Sequence, residues 1–414
     1  MTHNRLPGRW PELALLLNRL GVGRYARSDW PAALCVVATV VNLVQMECAY
    51  GSMFAATARR QIRERARKLC TQYSGTMTLS GEHMMFVFDA LPDTQDAHCG
   101  GLAVRPSLLL DRILTALADC PVLSGSAVAF PVIEAYVVHF DDEPFDIDSI
   151  NSVWLPDATT SIAWREQFLA DTHVAGCLFS AMDDGQIDFA FERVCDAKEP
   201  WKTQYLEALL CRTDRASDER SRIGSEVRSL ERLGVVRRLD RWIAQSTIRR
   251  LRANPDARIG CNISAQSAAI DAWWAFLIAT LADEPDVAAR LTIEITETSP
   301  LPSLDAACEF VLVFKLLGCQ VALDDVGYDF DSLRNLITLG VDIVKIDGAL
   351  VVERRYDEAV AARFTQLIGL AKVCAASIVV GGIETADDAQ AACASGATSL
   401  QGYLYSPSAG GLEN

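Results

Sequence analysis

"VALDDVG", residues 321–327, sets the problem. Val321, Ala322 and Leu323 are apolar at successive positions, and a strand points successive side chains to opposite faces. A strand apolar on both faces belongs in a sheet covered on both sides, the usual condition of a parallel sheet wrapped by helices. Asp324 and Asp325 then close the run side by side. Adjacent carboxylates repel, and near a core they lose hydration as well. Something opposite them must make the arrangement tolerable.

The same rhythm extends outward through the C-terminal half. Short β-type runs occur at 188–194, 205–210, 258–264, 291–297, 321–326, 341–347, 377–383 and 399–405. Helical patterns such as "LDAACEFVLVFKLLG" separate them. Eight strands with helical connections over roughly 240 residues predict a (β/α)8 barrel of the TIM type. One connection differs. Only "CDAKEPWKTQ" joins the first run to the second. Ten residues with a proline cannot supply a crossover helix, so the first two strands are expected to be antiparallel.

A long charged insertion follows the second run. Its apolar positions Val227, Leu230, Leu233, Val236, Leu239 and Ile243 recur every three or four residues, as outer helices packed on the barrel require. Residues 1–160 read as a separate α/β domain and 165–414 as the barrel domain. In the former, "AALCVVATVVNLV" reads as a buried strand and "FAATARRQIRERARKLC" as a helix with Phe54, Ala58, Ile62, Ala66 and Leu69 on one face. "TMTLSGEHMMFVFDA" reads as a hairpin turning at Ser80-Gly81, and "GSAVAFPVIEAYVVHF" as another strand region. Residues 141–161 are turn-rich and read as the domain junction.

Composition bounds the function. Half the 414 residues are hydrophobic and 22% are charged, so the chain is globular. A formal net charge of −16 argues against a nucleic-acid polymer or an anionic lipid surface as partner. No apolar run approaches the ~20 residues of a membrane span. The start "MTHNRLPGRWPEL" has no apolar leader core. Thirteen cysteines without a Cys-x-x-Cys pair, and five scattered histidines, read as reduced thiols in a cytoplasmic protein with no zinc site.

Chemistry in such a barrel sits at the C-terminal ends of the strands. Glu207, Asn262, Glu294, Glu297, Asp324, Asp325, Lys345, Asp347, Glu384 and Gln401 all fall in or beside the eight runs. Oxygen ligands without His or Cys suit Mg²⁺ or Mn²⁺. Asp324 could bridge two ions about 3.5–4 Å apart with Asp325 on the second, while Lys345 holds a water or meets phosphate charge. The alternative is a network of rim salt bridges.

The ordered motifs "YLEALL", "CNISA", "IEITE", "LDDVG", "VKID", "GGIET" and "QGYLYS" resemble those of the EAL domain, the bacterial cyclic di-GMP phosphodiesterase module, over roughly residues 165–408. The resemblance implies a barrel with a reversed first strand. It implies that Glu207, Asn262, Glu294 and Asp324 hold a first metal and Asp325 a second. It casts Lys345 as the catalytic lysine, Glu297 as a loop anchor and Gln401 as the glutamine beside the water. Glu192, Leu209, Arg212 and Asp347 are ligand-side candidates, and Glu384 is the surviving seventh-strand carboxylate. Residues 30–160 resemble a GGDEF (diguanylate cyclase) domain whose chemistry is erased. Ser80, Glu82 and His83 stand in its signature loop, and Thr39 or Val41 stands where a metal aspartate belongs.

The EAL resemblance also breaks. Gly381 replaces the first glutamate of the seventh-strand motif. Cys211 stands where the family has an arginine thought to hold a ligand phosphate. The loop "VGYDFDS" has lost a glycine and gained Asp329 and Asp331, and Glu192 replaces a base-contacting glutamine. Two readings follow. One is a degenerate tandem GGDEF–EAL protein that senses cyclic di-GMP or contacts protein partners, itself included as a homodimer, without efficient turnover. The other is an active metal-dependent phosphodiesterase yielding linear pGpG. Cyclase activity is not expected.

Overall fold

The computed structural model describes residues 33–89, 106–138, 159, 161–213, 220–327 and 330–405. The N-terminal start, most of the stretch 141–161, Asp329 and the side chain of Asp331 lie outside the described residues. The chain divides into two compact units. The first comprises 1–176, 229–238 and 270–280, and the second 177–228, 239–269 and 281–414.

The first unit is an antiparallel sheet covered by helices. Strands β1 (Ala33–Val40), β2 (Gly75–Ser80), β3 (His83–Asp89) and β6 (Ile133–Val138) pair in the order β2-β3-β1-β6. A small hairpin, β4 (Val122–Ser124) and β5 (Ala127–Ala129), stands apart. The helices are α1 (Leu43–Tyr50), α2 (Ser52–Gln72), α3 (Pro106–Ala118) and α4 (Ile162–Asp183), which runs across the unit boundary. The core holds the expected apolar face of α2, with Phe54, Ala58, Ile62, Ala66 and Leu69 packed beside Phe86 and Phe88. The opposite face is basic, but one of its arginines is structural. Arg65 donates to the carbonyls of Leu117, Cys120 and Pro121 at 3.2, 2.6 and 2.6 Å.

Two strand expectations shorten here. The first strand stops at Val40 because the buried amide of Asn42 bonds the Phe130 carbonyl and the Val132 N–H, both at 2.9 Å, and Leu43 starts a helix. The 125–140 region splits into β5 and β6 around Pro131, which has no N–H for a ladder.

The second unit is the barrel. Its strands are β7 (Ile187–Asp196), β8 (Thr203–Thr213), β9 (Arg220–Arg222), β10 (Ile259–Ser264), β11 (Leu291–Thr296), β12 (Gln320–Val326), β13 (Ile343–Ile346), β14 (Ser377–Val380) and β15 (Ser399–Leu400). Order β10-β11-β12-β13-β14-β15-β7-β8, closed by a β8–β10 pairing, makes an eight-strand ring. Strand β7 is antiparallel to both β8 and β15, as the short connection predicts, and the other ring pairings are parallel. Strand β9 extends β8 beyond the ring. Helices α5 (Ser225–Leu233), α6 (Val236–Ala253), α7 (Ala272–Asp283), α8 (Pro285–Ala288), α9 (Leu304–Leu317), α10 (Phe330–Thr338), α11 (Gly348–Glu353), α12 (Glu358–Cys374) and α13 (Ala386–Ser395) complete the chain. Of the expected stripe, Leu230, Leu233, Val236, Leu239 and Ile243 are buried and Val227 is half-buried, but residues 229–238 group with the first unit, and only Val227, Leu239 and Ile243 fall in the barrel unit. The ring encloses Val194, Tyr205, Ala322, Ile343 and Val379.

Candidate functional site

At the C-terminal ends of the parallel strands lies a cavity of about 290 Å³. Its centre is Lys345, the third residue of β13, whose Nζ donates to Glu207 Oε2 at 2.8 Å, Asp324 Oδ2 at 2.7 Å and Glu294 Oε2 at 2.5 Å. Each partner comes from a different strand: Glu207 from β8, Glu294 from β11, Asp324 from β12. Asn262 on β10 donates to Glu207 Oε1 at 2.6 Å, and Gln401, just after β15, donates to Glu207 Oε2 at 2.6 Å. Five strands therefore converge on one buried polar cluster.

Local backbone makes the cluster fit. Gly260 lies beneath Glu294. A Cβ there would sit 2.3 Å from Glu294 Oε1 and 2.7 Å from the Tyr205 ring, so glycine makes the room. Asp324 and Asp325 both line the cavity, which alternation along a regular strand forbids. The β12–β13 register breaks between Leu323 and Val326, and Asp325 takes a left-handed φ of +59°. That irregularity re-aims the second carboxylate, and its N–H donates to Asp324 Oδ1 at 2.9 Å.

The electrostatics follow. Burial pushes the Glu294 carboxyl up to about 8, with Glu207 and Asp324 adding to the push and Lys345 opposing it. Asp324 is raised as well, by burial first and then by Glu207, against the pull of Lys345. Asp325 is pushed up to about 7 by burial, Asp324 and Asp347, although it opens onto the cavity and keeps more water. Glu207 goes the other way. Burial raises it, but Lys345, Gln401 and Asn262 outweigh that and hold it below the usual range. Lys345 stays charged because its three carboxylates outweigh its own burial. The expected salt-bridge network is thus present, and it involves the same residues as the expected metal site.

That site can be tested by what the network leaves unmet. Among the described residues, Glu294 Oε1 and Asn262 Oδ1 are buried with no hydrogen-bond partner. Orphaned buried oxygens are costly. Glu207, Glu294 and Asp324 each offer an oxygen within 4.8 Å of the others. All-oxygen donors with unmet lone pairs fit a hard divalent cation.

The remaining candidates divide. Glu192, Leu209, Asp347, Gly381 and Glu384 line the cavity. Asp347 caps α11 through Ala349 N–H at 2.8 Å, and Glu384 is held by Arg355 at 3.2 Å. Glu297 accepts from Asn335 at 2.7 Å, away from the lining. Cys211 is buried, and Arg212 is exposed and contributes nothing to the lining. Gly381 has space: a Cβ there would meet only the Ile346 carbonyl at 3.4 Å and the Gly348 nitrogen at 3.7 Å. Its neighbour Gly382 has φ +68°, and a Cβ there would sit 2.7 Å from Gly348 Cα, so no side chain fits. Ser80, Glu82 and His83 lie at the β2–β3 hairpin of the first unit. There Thr39 Oγ1 bonds His83 Nδ1 at 2.6 Å, and Arg59 holds Glu82 at 3.0 Å. Arg222, on β9, lines the cavity and was not singled out from the sequence. Its three-residue polar strand carries no periodic signal.

Parts of the chain are similar to known proteins. A cyclic di-GMP phosphodiesterase of Escherichia coli, PdeL, is 34% identical over 118 residues, 28% of this chain and 33% of its own. Another, TpdA of Vibrio parahaemolyticus, is 32% identical over 115 residues, 28% of this chain and 20% of its own. The match thus spans a third or less of these relatives. The S helix-GGDEF-EAL structure of Vibrio cholerae LapD, bound to c-di-GMP, aligns with a TM-score of 0.51 over 96% of this chain and 94% of that one. At 14% identity that likeness is one of fold. Residues 177–408, more than half of the chain, match the EAL domain. The chain is a member of the EAL domain family.

Proposed function

We propose that this protein is a cyclic di-GMP receptor with a regulatory role, whose barrel binds the dinucleotide at the Lys345 cavity without efficient turnover. The observation that carries this reading is the wall at Gly381, which presents backbone where a second-metal carboxylate would stand, beside an otherwise coherent oxygen cluster. Glu207, Asn262, Glu294 and Asp324 would hold one Mg²⁺ or Mn²⁺, and Asp325 would face a weaker second position. A bound divalent ion would neutralise the carboxylates and polarise a ligand phosphate. Without a full complement of ligands, a nucleophile is misplaced, and an error of about 1 Å can cost 100-fold in rate. LapD, which aligns over both units, was solved bound to c-di-GMP and supports the receptor reading by fold. The first unit would be a GGDEF-like module without cyclase chemistry: its hairpin turn bears Glu82 in an ion pair and His83 on Thr39.

A second reading, an active phosphodiesterase producing linear pGpG, has its own support. Glu207, Asn262, Glu294, Asp324, Lys345 and Gln401 are all brought together, and the curated relatives carry that activity in their names. Hydrolysis of cyclic di-GMP with Mg²⁺ or Mn²⁺ separates the two. The receptor reading expects calorimetric binding with little turnover in the wild type, and a rise of at least about tenfold in Gly381→Glu. Fast hydrolysis by the wild type would overturn it.

A further inference from the structure

The cavity is short of positive charge. Among the described residues, six carboxylates line it, against two cations, Lys345 and Arg222. Lys345 is committed to three carboxylates within 2.8 Å. Its three N–H donors are spent on them. An anion entering this cavity therefore finds one basic side chain with donors to spare.

That side chain is placed by the sheet. Along β8, Glu207 and Leu209 face the cavity, and strand alternation puts Cys211 on the same side. Strand β9 pairs with the last residues of β8, Arg222 directly opposite Cys211. Directly opposed residues share a face, so Arg222 comes from the added strand to the wall that Cys211 leaves uncharged. Among the described residues its one ion pair is with Glu192, another lining residue, at 3.5 Å through Nη2. A single long contact orients the guanidinium without using up its five donors. The group is more than half exposed and free to meet a ligand at the rim.

We infer that Arg222 is the phosphate-binding, specificity-determining residue of this cavity, reaching from β9 to hold a phosphate of a dinucleotide bound over Lys345. The inference rests on the cyclic di-GMP reading above. A planar guanidinium grips a phosphate through two parallel N–H···O bonds, whereas an ammonium offers only a point charge. Arg222→Ala should therefore weaken binding most and Arg222→Lys less.

Isothermal titration of the full chain with cyclic di-GMP tests this. Arg222→Ala should raise Kd by roughly 10- to 100-fold, with Arg222→Lys between it and the wild type. Because the alanine variant loses one phosphate contact, its Kd should also rise less steeply with salt than that of the wild type, a change that mere disturbance of an exposed strand would not produce. If the wild type binds and Arg222→Ala binds equally well, the inference falls while the receptor reading stands. If the wild type gives no binding signal, the receptor reading falls and takes the inference with it.

Discussion

Two strand-end clusters invite comparison, the hairpin tip of the first unit and the mouth of the barrel. At the tip, Thr39 meets His83 and Arg59 meets Glu82 close to solvent. At the mouth, Glu207, Glu294, Asp324 and Lys345 are packed together with little or no exposure. Exposed pairs contribute about 0–1 kcal/mol and can be lost without consequence. A buried set of four charges costs several kcal/mol of desolvation per ion and persists only when each member answers another. The first cluster is held by weak contacts that water screens, and the second by buried charges that depend on one another.

The strongest test is to remove the cation at the centre. Lys345→Met leaves three buried carboxylates without their counter-charge. Breaking such a set costs about 3–5 kcal/mol. Urea unfolding of the full chain, with the metal chelated, should show that loss, and Mg²⁺ or Mn²⁺ should restore part of it by taking over the neutralising role. If the variant is as stable as the wild type, the mouth is no more coupled than the hairpin tip.

The same contrast marks what could be read in the sequence. The ring was legible because its strands are apolar runs separated by helical periodicity, and the reversed pair because "CDAKEPWKTQ" is too short for a crossover. The cluster was legible because oxygen side chains recur at the ends of those runs. The role of Gly260 was hidden, since a glycine inside a strand does not show that Glu294 is what approaches it. The left-handed turn at Asp325 was hidden, since nothing about an aspartate announces a register break. Arg222 was hidden because "RSR" has neither apolar alternation nor a turn signal; only the pairing with β8 gives it meaning. The seventh run reads on through Ile383, but the ladder stops at Val380, where Gly381 and Gly382 turn against Gly348.

A smaller effect comes from pH. In the metal-free protein Glu294 is raised from 4.5 to about 8, so the folded chain keeps a proton that the unfolded chain has already released. Stability falls with pH wherever the native state binds more protons, so this group lowers stability progressively as pH rises between about 4.5 and 8. Asp325, raised from 3.8 to about 7, acts in the same direction. Asp388 has the opposite sign. Burial raises it, but bonds from Arg355 and Thr385 outweigh that, so its contribution is present above the ordinary carboxylate range and is lost only in acid. Melting temperatures with chelator should thus decline from mildly acidic to mildly alkaline pH. Saturating Mg²⁺ should flatten or reverse the decline, because the ion replaces the proton. A chelated protein that grows more stable across that window would mean the mouth carboxylates are solvated like those of the hairpin.

The smallest effect is expected at the hairpin itself. Glu82→Ala removes the Arg59 partner, a pair whose side chains are 33% and 47% exposed. Water screens both charges, and the freed arginine remains hydrated, so the change should be under about 1 kcal/mol. The β2–β3 turn should survive, because Gly81, at φ +60°, supplies its left-handed residue and Ser80 pairs with His83 independently of the carboxylate. Cyclic di-GMP binding, measured by the same calorimetry, should be unchanged within about twofold, as the hairpin lends no residue to the described lining of the Lys345 cavity. A large loss of stability or binding in Glu82→Ala would erase the distinction, for it would give an exposed ion pair the leverage that burial confers on the barrel mouth.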